Sequence, residues 1–224
     1  MKKTIYSFVI FSTFLLSSCN GASDKQIEEW VQNNPDKIME AVISYQQKQQ
    51  EDNQPKGEMV KEFEKELFSP DTPSSGSGPI KVAYFFDFNC GHCKRQSETN
   101  KAVLAEGKVQ IFYKNYAVLG PSSELAAKAA LSAHQQGKYQ EFYEEAHKSR
   151  TKDLASLKGI AKKLKLDVAK WEQDMEGEAV KKELDATNAL AKKMKVRGTP
   201  FIAIAPDKVF PGRVDSLSSI INSL

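Results

Sequence analysis

At 224 residues the chain can hold one ordinary globular domain with further segments attached. Its 40% hydrophobic content is enough for a core, and 27% charged residues suit a soluble surface. The formal net charge is only +3, with Lys2 and Lys3 among the positives, which excludes an electrostatic case for nucleic acid as a partner.

The first element in chain order is a leader. Lys2 and Lys3 precede an apolar stretch from Ile5 to Leu16, too short for a transmembrane helix. It ends in Leu16-Ser17-Ser18-Cys19, which resembles the bacterial lipobox. That reading makes residues 1–18 a signal peptide and Cys19 the acylated first residue of the mature protein. Cleavage at an ordinary signal site would have to use Asn20-Gly21-Ala22, a poor match. The expected location is the cell envelope, with the lipid anchor in the bilayer and the chain facing the periplasm. Asn20 is not the aspartate associated with inner-membrane retention, which points to the outer membrane. Cysteine usage agrees: three cysteines in an exported chain leave one unpaired, unless Cys19 carries lipid. The other two then stand together as Cys90-Gly91-His92-Cys93.

Two consecutive helices are predicted over 23–34 and 35–53, with Asn34 as an N-cap and Pro35 in the first turn of the second. Ile27, Val31, Ile38, Val42 and Tyr45 form an apolar stripe opposite Gln, Lys and Glu. Folding back on the core would bury it within one chain; self-association is the preferred reading. A shorter helix is predicted over 56–68. The Pro/Gly/Ser run 69–79 follows and reads as a linker, so that 19–68 forms an N-terminal helical oligomerisation segment and 80–224 a separate domain.

From Ile80 the pattern changes. Ile80–Phe88 and Val109–Tyr113 read as strands on either side of a helix over 93–106. Helical stretches are predicted over 122–137, 139–148, 155–164 and 169–194. Phe201–Ala205 and Val209–Phe210 then form a hairpin near Pro206-Asp207, and Leu217–Ile221 a terminal helix. The order is β-α-β, a helical block, then β-β-α.

Two cysteines separated by two residues, at a strand end and a helix start, form a redox arrangement. Unpaired N–H groups and a partial positive charge at a helix N-terminus favour a thiolate. The second thiol, one turn on, can then attack a mixed disulfide held on the first. Cys90 is therefore the expected nucleophile and Cys93 the resolving thiol, with His92 placed to stabilise the Cys90 thiolate. A purely structural disulfide closing so short a loop would add little stability. A metal site needs more ligands than Cys90, Cys93 and His92 supply. No metal and no cofactor are expected. Proline in Gly198-Thr199-Pro200-Phe201 sits at the mouth of a strand, where a strand-start residue and a cis peptide are equally compatible with the sequence.

Together with Tyr84-Phe85-Phe86-Asp87-Phe88-Asn89 before the cysteines, Leu119-Gly120-Pro121-Ser122-Ser123-Glu124-Leu125-Ala126 and Gly137-Lys138-Tyr139-Gln140-Glu141-Phe142, these motifs resemble the DsbA-like, thioredoxin-fold family of bacterial disulfide oxidoreductases. The resemblance implies an α/β thioredoxin fold with an inserted helical block over about 117–195. It further implies a redox disulfide between Cys90 and Cys93, a cis Thr199–Pro200 bond facing it, and a substrate-binding role for Thr199. By pattern, residues 24–68 resemble the oligomerisation segments of ScsC-like and dimeric DsbA-like proteins. The Gly-His pair between the cysteines is also that of protein disulfide isomerase domains, which implies isomerase as well as oxidase capacity. Expected partners are cysteine-containing exported proteins, a membrane redox partner and further copies of the chain. A monomeric dithiol oxidase and a copper-sequestering thiol protein are the alternatives. The chain departs from the thioredoxin pattern at Tyr84, where thioredoxin has a buried acid. Asp87 leaves open an assisting role in Cys93 deprotonation.

Overall fold

A computed structural model describes residues 23–52 and 54–224. The signal segment 1–18 and Cys19 lie outside the described residues. The chain divides into two compact units, one ending at Asp52 and the other running from Asn53 to Leu224.

The first unit contains α1 (Asp24–Asn33) and α2 (Pro35–Asp52). Ser23 and Gln26 form a reciprocal capping box: the Ser23 Oγ accepts from the Gln26 N–H, and the Gln26 Oε1 accepts from the Ser23 N–H. Asn34 ends α1, its Nδ2 donating to the Trp30 carbonyl at 2.8 Å. Pro35 opens α2 without loss of a helical hydrogen bond, because its missing N–H is an orphan position. No residue of α1 is buried.

The second unit begins with α3 (Glu58–Glu62) and α4 (Glu64–Leu67), followed by β1 (Ser74–Ser75), β2 (Ile80–Phe86), α5 (Gly91–Ala105) and β3 (Val109–Asn115). Five helices then intervene: α6 (Pro121–His134), α7 (Tyr139–Lys148), α8 (Leu154–Lys163), α9 (Val168–Met175) and α10 (Glu178–Lys193). The hairpin β4 (Phe201–Ile204) and β5 (Lys208–Pro211) and the terminal α11 (Leu217–Asn222) complete it. The sheet order is β1-β3-β2-β4-β5. β2 and β3 are parallel, with Val82 opposite Ile111 and Tyr84 opposite Tyr113, and all other pairs are antiparallel. This is the thioredoxin arrangement with helices inserted between β3 and β4.

Because β2 is central and covered on both faces, it is apolar throughout rather than alternating. Val82, Tyr84 and Phe86 face one core, with Ile111, Tyr113, Phe142, Tyr143 and Trp171. Ala83 and Phe85 face the other, with Phe112, Phe201, Leu190 and Met194.

Three local features differ from the sequence reading. The helix expected over 56–68 is two short helices, and its Val60, Leu67 and Phe68 are buried in the second core. That places it with the sheet, and the division between compact units falls after Asp52 instead of at 69–79. The run 69–79 itself is tightly packed. Ser74 and Ser75 pair with Phe112 and Ile111, and the Gly78 N–H donates to the Val109 carbonyl at 3.1 Å. A Cβ on Gly78 would lie 2.0 Å from the Lys108 carbonyl carbon, so this glycine permits close backbone approach, which composition cannot distinguish from linker flexibility. Finally, the helix expected over 169–194 is broken at Glu176–Gly177, where Gly177 takes an extended conformation and starts α10.

Candidate active site

The central strand delivers the cysteine motif. After Phe86 the chain turns, the Cys90 N–H donating to the Asp87 carbonyl at 3.1 Å. The buried Asp87 carboxylate fixes this turn. Its Oδ1 accepts from the Asn89 N–H (2.8 Å) and the Ser123 hydroxyl (2.7 Å), and its Oδ2 from the N–H groups of Val118 (2.8 Å) and Leu119 (3.0 Å). Four donors fill the acceptor positions of a carboxylate. Asn89 adds a second tie, its Nδ2 donating to the hydroxyls of Ser122 and Ser123 at 2.9 Å each. The start of the helical insertion is thereby locked to the residues just before Cys90.

Cys90 is the N-cap of α5, and its Sγ accepts from the Cys93 N–H at 3.4 Å. A sulfur at this point faces the unpaired donors of the first helical turn, which favours negative charge on it. Both thiols are unbonded in this structure. Cys90 retains 8% exposure and Cys93 none. From the other side comes the segment before β4. The Thr199–Pro200 bond is cis, and the Cys90 thiol donates to the Thr199 carbonyl at 3.3 Å. A second cis bond, Ala205–Pro206, lies in the β4–β5 turn, where the sequence reading placed only a turn.

Burial pushes the Cys93 thiol up to about 12. Hydrogen bonds from the Asp87 N–H and the Thr199 side chain act against burial, while the neighbouring Cys90 adds to it. Asp87 thus reaches Cys93 through its backbone, its carboxylate being engaged elsewhere. His92 is exposed, and its Nδ1 lies 3.0 Å from the Arg95 guanidinium. Because a guanidinium only donates, the His92 Nδ1 is the acceptor in this contact.

Behind Cys93 lies a buried aromatic cluster. The Tyr84 hydroxyl donates to the Cys93 carbonyl at 3.1 Å. Tyr143 and His147 of α7 pack with Phe86 and Phe88, and the Tyr143 and His147 rings are 4.6 Å apart. Burial, then the charges of Lys152 and Lys94, push the His147 imidazole down to about 3, so it is neutral across the physiological range. Among the described residues, no group of His, Cys, Asp and Glu is arranged to hold a metal ion.

The structure thus gathers Cys90, Cys93, Thr199 and Pro200 at one place, with His92 on the adjoining helix turn. Ile27, Val31, Val42 and Tyr45 lie exposed on the first unit, and Ile38 is half-buried there. Three features escaped the sequence reading: the four donors on Asp87, the Arg95–His92 contact, and Gln96. Buried Gln96 pins the loop after β5, accepting from the Val214 N–H at 2.7 Å. Arg95 could have been found from its i,i+3 spacing to His92. Apart from the local Asn89 N–H, the others join positions more than 30 residues apart.

Comparison with known proteins gives a consistent picture. The model of the DSBA-like thioredoxin domain matches residues 81–221. A probable disulfide bond formation protein D of Bacillus anthracis is 29% identical over 175 residues, covering 70% of this chain and 80% of that protein. Among solved structures, a thioredoxin-like oxidoreductase from Silicibacter pomeroyi DSS-3 is 32% identical with a TM-score of 0.67, covering 71% of this chain and 95% of its own. Proteus mirabilis ScsC in a transitional conformation shares the fold at 22% identity and a TM-score of 0.67, over 88% of this chain and 92% of its own.

Proposed function

Because the chain belongs to the DSBA-like thioredoxin domain family and is a thiol-disulfide oxidoreductase of that type, we propose that Cys90 is its exchanging nucleophile and Cys93 its resolving thiol. The observation that carries this assignment is the placement of Cys90 at the N-cap of α5, where it keeps 8% exposure, with Cys93 fully buried one turn behind it.

In the oxidising direction a substrate thiolate attacks the Cys90 sulfur of a Cys90–Cys93 disulfide. The S–S bond breaks, and Cys93 leaves with the electron pair and takes up a proton. A second substrate thiolate then attacks the substrate sulfur of the mixed disulfide and releases Cys90 as a thiolate. Two electrons pass from substrate to protein. In the reducing direction the Cys90 thiolate attacks a substrate disulfide and Cys93 closes the ring. The first-turn N–H groups of α5 receive the charge on Cys90 in both directions. Thr199 and Pro200 form the wall beside it, and to His92, exposed on the first turn of α5, we assign stabilisation of the Cys90 thiolate. No cofactor and no metal enter these steps.

The substrates of this reading are cysteine-containing exported proteins, with a membrane redox partner resetting the cysteine pair. Residues 1–18 serve as a lipoprotein signal peptide, and acylation of Cys19 anchors the chain in the envelope, facing the periplasm, at the outer membrane. The apolar residues Ile27, Val31, Ile38, Val42 and Tyr45 hold subunits together; their support is that four of them stand 43–66% exposed on α1 and α2. An assembly of several active sites around one substrate would add isomerase to oxidase capacity.

The assignment of the two thiols is tested by trapping. Cys93→Ser protein mixed with a disulfide-containing substrate should accumulate a covalent adduct through Cys90, and Cys90→Ser protein should form none. Equal adduct formation by both variants would overturn it.

A further inference from the structure

We propose that arginines at the rim of the Cys90 site select substrates with carboxylates beside their cysteine, so that acidic segments exchange faster than neutral or basic ones. The inference rests on Cys90 being the exchanging nucleophile and names the substrate chemistry that suits it.

Arginine is scarce in this chain. Only four of its 32 basic side chains are arginines, Arg95, Arg150, Arg197 and Arg213, and the rest are lysines. Three of the four are tied to the exchange site by short connections. Arg95 lies near the start of α5, with a guanidinium nitrogen 3.0 Å from the His92 Nδ1. Arg197 stands two residues before Thr199, whose carbonyl accepts from the Cys90 thiol at 3.3 Å. Arg213 sits between Gly212 and Val214. The Gly212 N–H donates to the Pro200 carbonyl at 2.9 Å, and the Val214 N–H to the Gln96 side chain of α5 at 2.7 Å. The fourth, Arg150, comes three residues after His147, whose ring centroid is 5.1 Å from that of Phe88. Phe88 in turn precedes Cys90 by two residues, and all four arginines are exposed.

The acids of the same region are already engaged. Asp87 is buried under four donors. Asp215 pairs with Arg213 at 2.7 Å, and Glu124 with Lys128 at 3.3 Å. Glu98 shares the cleft between α5 and α7 with Lys94, Lys101 and Lys148. Among the described residues Arg95 and Arg197 meet no carboxylate, which leaves positive charge on two sides of Cys90, at the helix start and before the cis bond. Uncompensated charge of one sign at a site raises the local concentration of oppositely charged partners. A guanidinium adds what an ammonium lacks, a planar fork of donors that matches a carboxylate in two parallel bonds. A residue one or two positions from the substrate cysteine lies about 3.5–7 Å along an extended chain. Its carboxylate can therefore meet this rim while the cysteine sulfur meets Cys90.

Three symmetric peptide disulfides test this on the reduced full-length chain. They share one sequence, except that the residues flanking cysteine are glutamate, glutamine or lysine. In each reaction the Cys90 thiolate bonds to one peptide sulfur, the peptide S–S bond breaks and one peptide leaves as a thiolate. Cys93 then displaces the other. The rate of peptide thiol release is divided by that of dithiothreitol with the same peptide, which cancels differences in intrinsic disulfide reactivity. At about 0.01 M salt, where the screening length is about 30 Å, the normalised rate with the glutamate peptide should exceed that with the lysine peptide by at least about tenfold. At about 1 M salt that length falls to about 3 Å, and the two rates should agree within about twofold. Arg95→Gln combined with Arg197→Gln should remove most of the low-salt preference. Lys108→Gln, which removes one charge at the opposite end of the sheet, should retain it. Equal normalised rates at low salt, or a preference that survives the double replacement, would overturn the inference while leaving the role of Cys90 intact. A reduced chain that exchanges with none of the three peptides would instead remove the nucleophile, and this inference with it.

Discussion

Residues 24–52 and 58–68 look alike in sequence, both helical, polar and marked by spaced apolar residues, yet they meet opposite fates. In the second stretch Val60, Leu67 and Phe68 close one face of the sheet against Phe112, Leu190 and Met194. In the first, Ile27, Trp30, Val31, Met39, Val42, Ile43 and Tyr45 are all exposed. The contrast teaches that an apolar stripe declares the need for a partner without saying which one. What separates the two stretches is the sheet face available to 58–68, a property of strands that lie later in the chain.

The contrast can be broken most forcefully at Leu67. Leu67→Ala empties a fully buried site and should cost the second unit about 2–5 kcal/mol, read as a lowered midpoint in chemical denaturation. A smaller effect follows from His147, which shares the same burial without any hydrogen bond. Its folded-state pKa of about 3 lies below the unfolded value near 6.5. Between those limits the unfolded chain binds a proton that the folded chain refuses. Stability attributable to this group is therefore present above about pH 6.5 and declines as pH falls toward 3, by at most about 1.4 kcal/mol per pH unit. In His147→Leu, denaturation midpoints measured across this window should fall less steeply with acid. The smallest effect on stability belongs to the exposed stripe. Val31→Lys with Ile38→Lys should change the second unit by no more than ~0.5 kcal/mol, while light scattering should report monomers. If the double variant instead unfolds like Leu67→Ala, the stripe is internal core and the two stretches are alike after all.

The sequence was most legible where the signal is local. The order β2-α5-β3, the cysteine pair at a helix start, and the β4–β5 hairpin could all be read from short runs of residues. Pattern alone left the Thr199–Pro200 bond undecided, and only family resemblance pointed to cis. Less was legible where partners are distant. Ser74–Ser75 is a strand because Ile111 and Phe112 offer an edge, which no propensity of serine announces. Gly76 and Gly78 look like linker residues, but they serve close packing against the Val109 backbone. The site divides in the same way. Cys90 and Cys93 stand out by spacing, whereas the burial that sets the character of Cys93 comes from β2, α7 and the Thr199 segment together. Asp87 was visible as a nearby acid, but its four donors come from the turn itself and from residues 118–123.

The central claim is that two thiols one helical turn apart have different duties because one is reachable and the other is sealed in. Timed alkylation of the fully reduced native chain with iodoacetamide, read by peptide mass spectrometry, tests it directly. The account predicts that Cys90 is modified well before Cys93 and that Cys93 reacts only after unfolding. Equal rates at the two cysteines in the native chain, or faster labelling of Cys93, would contradict it.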